Sequence, residues 1–427
     1  LNSVSADAGL SAAKPPALRR FSPSIASVMQ DANMKPSARV LVLAWNFPPA
    51  VGGMESVAMN LVAGLPRCGH EVFTIARYAP GRDSDASIVR PSRPGFLAYQ
   101  VFSFFAGWRR LRAEGADVLV CPGIASAPVA WCLSRRFRIP WLVLAHGSDV
   151  MHGGWWYRAC MKFLFRRAAG VPANSGHTQE LLLSVGCSPD RIRVIHPGVD
   201  EAPFPALADD AARALREKNQ LRGRRVLLSA GRLVRRKGIA EFVEYVMPAL
   251  LRRFPDLVYV VAGGDATASL AHSERLLESL RQRVRDVGMS DHVQLLGNVS
   301  DAHLRELYYS ADLLVLPSIP VQGDVEGFGI VFLEAALAQT PAVATKLGGI
   351  PDAVEHGLSG ILLDPGDWNG LAQAIGELLD DEPRRKELGA SARRRVLDRF
   401  TWPTIVRQYA DFIGEIVARA SRRPGAR

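Results

Sequence analysis

From Arg39 onward the chain repeats one unit: a short apolar run, a turn, then a stretch of helical period. Short apolar runs bounded by turn residues read as strands buried on both faces. Residues 40–44, 72–75, 118–121, 141–145 and 170–173 are of that kind. The sequence His196-Pro197-Gly198-Val199-Asp200, followed by Pro203 and Pro205, breaks the pattern. It then restarts, with strands expected at 225–230, 258–262, 293–296, 313–316, 342–344 and 360–363. Strands alternating with helices predict parallel sheets covered on both faces. The expected fold class is therefore α/β, with two Rossmann-like, doubly wound domains in tandem. The expected divisions are a flexible extension over 1–35, a first domain over 36–200, a second over 201–400 and a last helix within 401–427. In such sheets ligands bind beyond the carboxyl ends of the strands, which places the site in the cleft between the domains.

Composition narrows this little. Apolar residues at 48% and charged residues at 22% exclude a largely disordered chain. No charge-free run reaches the length of a membrane span, and the run after Asp117 contains Pro122 and Pro128. Five dispersed cysteines without a C-x-x-C exclude a disulfide framework and a zinc spacing, and fit a reducing cytosol. The net charge of +10 changes the picture more, because nearly all the excess falls before residue 206. That asymmetry suggests an anionic partner (nucleic acid, a phosphorylated substrate or acidic lipid), although charge alone decides little.

Four segments carry candidate chemistry. Asn46–Glu55 joins the first strand to a helix, and Gly52 and Gly53 let backbone amides approach a ligand at that helix N-terminus. His146-Gly147-Ser148-Asp149 stands at the end of the strand at 141–145 and points into the cleft. Arg232 and Lys237 follow the strand at 225–230, flanked by Gly231 and Gly238. An arginine holds phosphate oxygens in pairs and a lysine adds a point charge, while Arg235 and Arg236 read as a solvated part of the same loop. The strongest segment is Asp324–Ala335. Glu326 lies in its loop and Glu334 about two turns into the helix that follows. Gly327 and Gly329 open that helix, so the amides of Phe328, Gly329 and Ile330 can receive a diphosphate, and Glu334 can accept ribose hydroxyls. Neither a P-loop nor a complete G-x-G-x-x-G is present. Asp83-Ser84-Asp85 has the form of a metal-holding D-x-D but sits in a polar loop, so no metal is expected there.

Together these segments resemble the retaining family 4 glycosyltransferases of the GT-B fold, from Val40 to the C-terminal helix. The stretches at 47–55 and 325–335 look most like bacterial GDP-mannose-dependent enzymes that extend phosphatidylinositol mannosides and related lipid-linked glycans. The resemblance implies a nucleotide-sugar co-substrate, GDP-mannose or a UDP-hexose, and neither a cofactor nor a metal. It implies that Gly52 and Gly53 approach the donor diphosphate, and that His146 contacts the transferred sugar. Arg232 and Lys237 would hold the diphosphate, Glu326 the sugar hydroxyls and Glu334 the ribose. Gly297 and Val299 would read the base through their backbone. The last helix would cross back onto the first domain. The leader before Lys35 departs from the family pattern, and no motif marks the acceptor pocket.

The expected reaction moves a hexose to the hydroxyl of a lipid-linked or oligosaccharide acceptor in bacterial envelope glycan synthesis, for example of polysaccharide or lipopolysaccharide. The aromatic and basic residues of 96–112 and 152–167 suggest contact with an anionic membrane at its cytoplasmic face. A non-catalytic nucleotide-sugar-binding partner of an assembly complex stays open as a second reading. No nucleic acid is expected, because no recognition motif accompanies the charge.

Overall fold

The computed structural model describes residues 37–50, 52–80, 87–151, 154–265 and 276–422. The extension expected over 1–35, Asp83, Asp85 and His152 lie outside them.

The first sheet comprises β1 (Arg39–Ala44), β2 (Glu71–Ala76), β3 (Ile88–Val89), β4 (Val118–Cys121) and β5 (Trp141–Val143). All pairs are parallel, in the order β3-β2-β1-β4-β5. A small parallel pair, β6 (Val171–Ala173) with β7 (Ile192–Val194), continues it through bridges Leu142–Gly170 and Ala145–Ala173. The helices are α1 (Gly53–Gly64), α2 (Phe96–Ala113), α3 (Ala127–Phe137), α4 (Ser148–Met151), α5 (Trp155–Arg167) and α6 (Gly176–Ser184).

The second sheet holds β8 (Arg225–Ala230), β9 (Leu257–Ala262), β10 (Val293–Gly297), β11 (Leu313–Leu316), β12 (Ala342–Thr345) and β13 (Gly360–Leu363). Its order is β10-β9-β8-β11-β12-β13, again all parallel. Its earlier helices are α7 (Asp209–Lys218), α8 (Ile239–Tyr245), α9 (Met247–Arg253), α10 (Leu276–Asp286) and α11 (Asp301–Ser310). The later ones are α12 (Ile330–Leu337), α13 (Ile350–Ala353), α14 (Trp368–Asp380), α15 (Glu382–Arg399) and α16 (Trp402–Ser421). Both sheets therefore have the Rossmann strand order, and each switches direction beside its first strand, at β1/β4 and at β8/β11.

The strands form where the sequence is apolar on both faces: β4 (VLVC) and β11 (LLVL) are buried throughout. Strands 171–173 and 141–143 are shorter than expected, and β3 and β7 were not legible as strands. The final helix does return to the first lobe. Ile405, Val406, Phe412 and Ile416 share a core with Val40, Val42 and Leu142. The fit is close: a Cβ on Gly64 would lie 2.7 Å from Val406, and one on Gly170 would lie 2.9 Å from Phe412. Each such buried side chain contributes roughly 1.5–3 kcal/mol relative to exposure.

Candidate active site

Loops at the carboxyl ends of both sheets meet. Gly53 opens α1, directly after the loop from β1, and a Cβ there would lie 3.4 Å from Cδ1 of Ile330, the first residue of α12. Two helix N-termini thus face one another across the cleft. Asn46, at the end of β1, donates to Glu55 in the first turn of α1 at 3.0 Å, which fixes the loop between them.

His146 follows β5. Its Nε2 lies 2.7 Å from the carbonyl of Pro122, which follows β4. A carbonyl can only accept, so Nε2 carries a proton and donates it. The backbone of His146 touches the other lobe: a Cβ on Gly327 would lie 2.8 Å from the His146 carbonyl oxygen and 2.9 Å from Nδ2 of Asn174.

Lys237 is buried, and Nζ donates to the carbonyl of Ala230 at the end of β8. Gly231, at φ 99°, passes so close that a Cβ would sit 2.5 Å from Nζ. Burial pushes the Lys237 pKa down to about 8; Glu326 opposes the shift, and Arg236 and Arg232 add to it. Arg232 itself is exposed.

Arg236 corrects the reading of this loop. It is buried, not solvated, and its guanidinium pairs with Asp324 at 3.2 Å and with Glu326. Arg235 is exposed, as expected. The carboxylate of Glu326 is therefore held from below by Arg236, beside the ammonium of Lys237.

Gly329, at φ 90°, caps α12, whose first turn contains no side-chain cap. Phe328 is buried and stacks on His196 with ring centroids 5.2 Å apart. The loop is pinned from behind by Gly348 and Gly349, which the sequence did not single out. The Gly349 amide donates to the Glu326 carbonyl at 2.8 Å, and Cβ atoms on the two glycines would fall 2.4 Å and 2.2 Å from the carbonyl oxygens of Glu326 and Gly327.

Glu334 is the fifth residue of α12, one turn in and not two. Its Oε2 accepts from the hydroxyl of Tyr308 on α11 at 2.8 Å. Burial raises its pKa to about 7, and the Tyr308 hydrogen bond works the other way. Gly297 ends β10 at φ 65°, and Val299 packs against the second-lobe core just before α11. A bridge joins Gly297 to Gly263, so the loops after β9 and β10 form one edge of the cleft. The expected site residues stand in loops after strands or at helix N-termini, except Glu334, which lies inside α12; the side chain of Arg232 is exposed. Among the described residues no group of three or more His, Cys, Asp or Glu could hold a metal.

Two family profiles match: "Glycosyltransferase Family 4" over residues 51–202 and "Glycosyl transferases group 1" over residues 212–395. A GDP-mannose-dependent alpha-(1-6)-phosphatidylinositol monomannoside mannosyltransferase of Mycobacterium tuberculosis is 32% identical over 404 residues, covering 90% of this chain and 100% of that protein. A D-inositol 3-phosphate glycosyltransferase of Salinispora tropica is 33% identical over 358 residues, covering 77% of this chain and 70% of that protein. Among solved structures, sucrose-phosphate synthase from Thermosynechococcus elongatus superposes with a TM-score of 0.72 at 24% identity, covering 89% of this chain and 99% of that one. Anabaena HepE, in complex with UDP-glucose, superposes with a TM-score of 0.70 at 21% identity, covering 88% of this chain and 100% of that one. The likeness to a full-length relative, the two adjoining profiles and the paired Rossmann sheets agree, and the chain belongs to the family 4 glycosyltransferases of GT-B architecture.

Proposed function

We propose that this glycosyltransferase moves a mannose from GDP-mannose to a hydroxyl of a lipid-linked or polysaccharide acceptor, with retention at the anomeric carbon, in the building of bacterial envelope glycans. The observation that carries the reading is the buried Lys237 beside Glu326, in the lobe whose α12 N-terminus meets Gly53 of the opposite lobe. A buried ammonium and unsatisfied helix amides form a site for a diphosphate. The mycobacterial relative, named for GDP-mannose and a phosphatidylinositol mannoside, supports the choice of donor and acceptor.

In this reading the sugar C1–O bond breaks and leaves negative charge on the diphosphate. Lys237, Arg232 and the amides of Phe328, Gly329 and Ile330 stabilise that charge as it develops, without a metal. Glu326 accepts sugar hydroxyls, and Arg236 keeps its carboxylate aimed. His146 contacts the sugar from the first lobe, and Gly52 and Gly53 approach the diphosphate through backbone amides. Glu334 accepts from the ribose, and the backbone at Gly297 and Val299 meets the base. The acceptor oxygen bonds to C1 on the face the diphosphate leaves, and a departing phosphate oxygen takes the acceptor proton. A lipid-linked acceptor would be met at the cytoplasmic face of the membrane.

The test is transfer from a panel of nucleotide sugars to membrane-derived acceptors, with the anomer of the product read by NMR. GDP-mannose is expected to give an α-linked product. Transfer from a UDP-hexose alone would replace the donor. Donor binding without transfer to any acceptor would favour a non-catalytic partner.

A further inference from the structure

The carboxylate of Asp352 has its partner in the other lobe. Asp352 lies in α13, just after Gly348 and Gly349, and is half-buried. Its Oδ2 accepts from the backbone amide of Gly176, the first residue of α6, at 2.6 Å. Among the described residues this carboxylate forms no ion pair and no second hydrogen bond. Ser175, the cap of α6 itself, accepts from the Thr178 amide at 3.2 Å and leaves the Gly176 amide to Asp352. A carboxylate at a helix N-terminus is favoured by the dipole and by a charge-assisted bond. The first lobe thus offers α6, and the second lobe supplies the charge that completes its cap.

Both sides of this contact are anchored. On the second lobe, Arg395 of α15 donates to the carbonyls of Asp352 and Ala353, each at 2.9 Å. Its guanidinium lies over Phe400, 4.8 Å from the ring centroid. The Phe400 carbonyl accepts from the Val199 amide where the chain passes between lobes.

On the first lobe, the turn before α6 is tied to the loop before α12. Thr178 Oγ1 donates to Oδ1 of Asn174 at 2.7 Å, and Nδ2 of the same amide would lie 2.9 Å from a Cβ on Gly327. Nδ1 of His196 donates to the Asn174 carbonyl at 3.1 Å, and the His196 ring stacks on Phe328. Engaging Asp352 on α6 therefore also sets Asn174 and His196 against the residues whose amides form the diphosphate seat.

We propose that Asp352 latches the lobes by capping α6 across the cleft and, through Asn174 and His196, fixes Gly327–Ile330 in the arrangement that receives a diphosphate. The second half rests on the reading of that seat given above; the latch does not depend on which nucleotide sugar binds. Asp352 is a positioning residue. Apparent affinity scales with the fraction of molecules in the competent arrangement, so losing the latch should raise KM for the donor about tenfold. Saturating donor restores the arrangement, so kcat should change less than roughly threefold. A folding defect would do the reverse, lowering kcat with KM unchanged.

The experiment removes each partner in turn. Proline at the first position of a helix fits without strain and has no amide hydrogen. Ser175 before it is extended, at φ −158° and ψ 165°, as a residue before proline prefers. Gly176→Pro should therefore match Asp352→Ala in donor KM and in Kd for GDP or UDP, and the double variant should lose no more than either. Gly176→Ala keeps the amide, and its Cβ would lie 3.6 Å from the carboxylate oxygens, so it should lose far less than Gly176→Pro. X-ray scattering of the nucleotide-free protein should show a larger radius of gyration in both latch variants, with the thermal unfolding midpoint close to that of the parent. A parental KM in Gly176→Pro, losses that add in the double variant, or unchanged scattering would overturn the latch. More open scattering in both variants, with neither GDP nor UDP bound by the parent, would keep the latch and overturn the reading of the seat.

Discussion

Arg236 and Glu326, 90 positions apart, form a buried ion pair that ties the loop after β8 to the loop before α12. Asp324 completes the pair into a triad at 3.2 Å from the same guanidinium. Removing one partner of such a pair leaves an uncompensated buried charge and costs about 3–5 kcal/mol. Arg236→Gln is expected to lower the melting temperature. It should also lower kcat by one to two orders of magnitude, by roughly the same factor as Glu326→Gln. The double variant should be no worse than the poorer single one, because the two act as a unit. Steady-state kinetics and thermal unfolding of the three variants check this; additive losses would contradict it.

Lys237 predicts an alkaline limb. Its pKa is pushed down to about 8 by burial, so the free enzyme loses this charge as pH rises through 8. The value of kcat/KM should therefore fall above that pH, while kcat holds to higher pH because a bound diphosphate favours the ammonium. Stability moves the other way. Between about 8 and the ordinary lysine range near 10.5, the unfolded chain binds the proton that the folded chain has lost, so this group makes stability rise with pH in that window. Lys237→Ala should cut turnover by about 10²–10³ with the fold retained. A flat pH profile between 7 and 10 would refute the role.

Glu334 predicts a neutral transition in donor affinity. Burial raises its carboxyl to about 7, and only the carboxylate is a full acceptor for ribose hydroxyls. Affinity for a nucleotide sugar should increase as pH rises through 7, and Glu334→Gln should flatten the curve. The Tyr308 hydrogen bond lowers this pKa, so Tyr308→Phe should move the transition upward. The folded carboxyl binds a proton that the unfolded one releases between about 4.5 and 7, so the same group makes stability fall as pH rises across that range. Calorimetric titration at several pH values reads the affinity.

Gly327 predicts a defect of closure. A Cβ there meets the His146 carbonyl at 2.8 Å and the Asn174 amide at 2.9 Å, both in the opposite lobe. Gly327→Ala should therefore lower turnover by tenfold or more while each lobe keeps its own packing, and X-ray scattering should show a more open molecule. Unchanged turnover would mean that the lobes need not meet at this point during reaction.

Much of the fold was legible because the strands are buried on both faces, and such strands write themselves as apolar runs. β4 and β11 are cases in point. β3 spans only Ile88–Val89 and β7 alternates Ile192, Arg193 and Val194, so neither leaves an apolar run to read. In the site, Lys237 and Glu326 were visible through glycines and charge at strand ends. Arg236 was misread because three adjacent cations look solvated until their partners, 88 and 90 residues away, fold over them. Gly348 and Gly349 were not legible for a similar reason. Their constraint is a carbonyl from another segment passing at contact distance, and nothing local records it.

The chain crosses between lobes at two places, and the crossings touch. The Val199 amide donates to the Phe400 carbonyl at 2.8 Å, and Val199 pairs with Thr401. Two adjacent tethers restrict relative motion to swinging about the line they define and resist sliding of one sheet past the other. Any opening would then part the lobes at the rim far from this pair, and a cut between Phe400 and Trp402 would loosen that hinge and release the helix that packs on the first lobe.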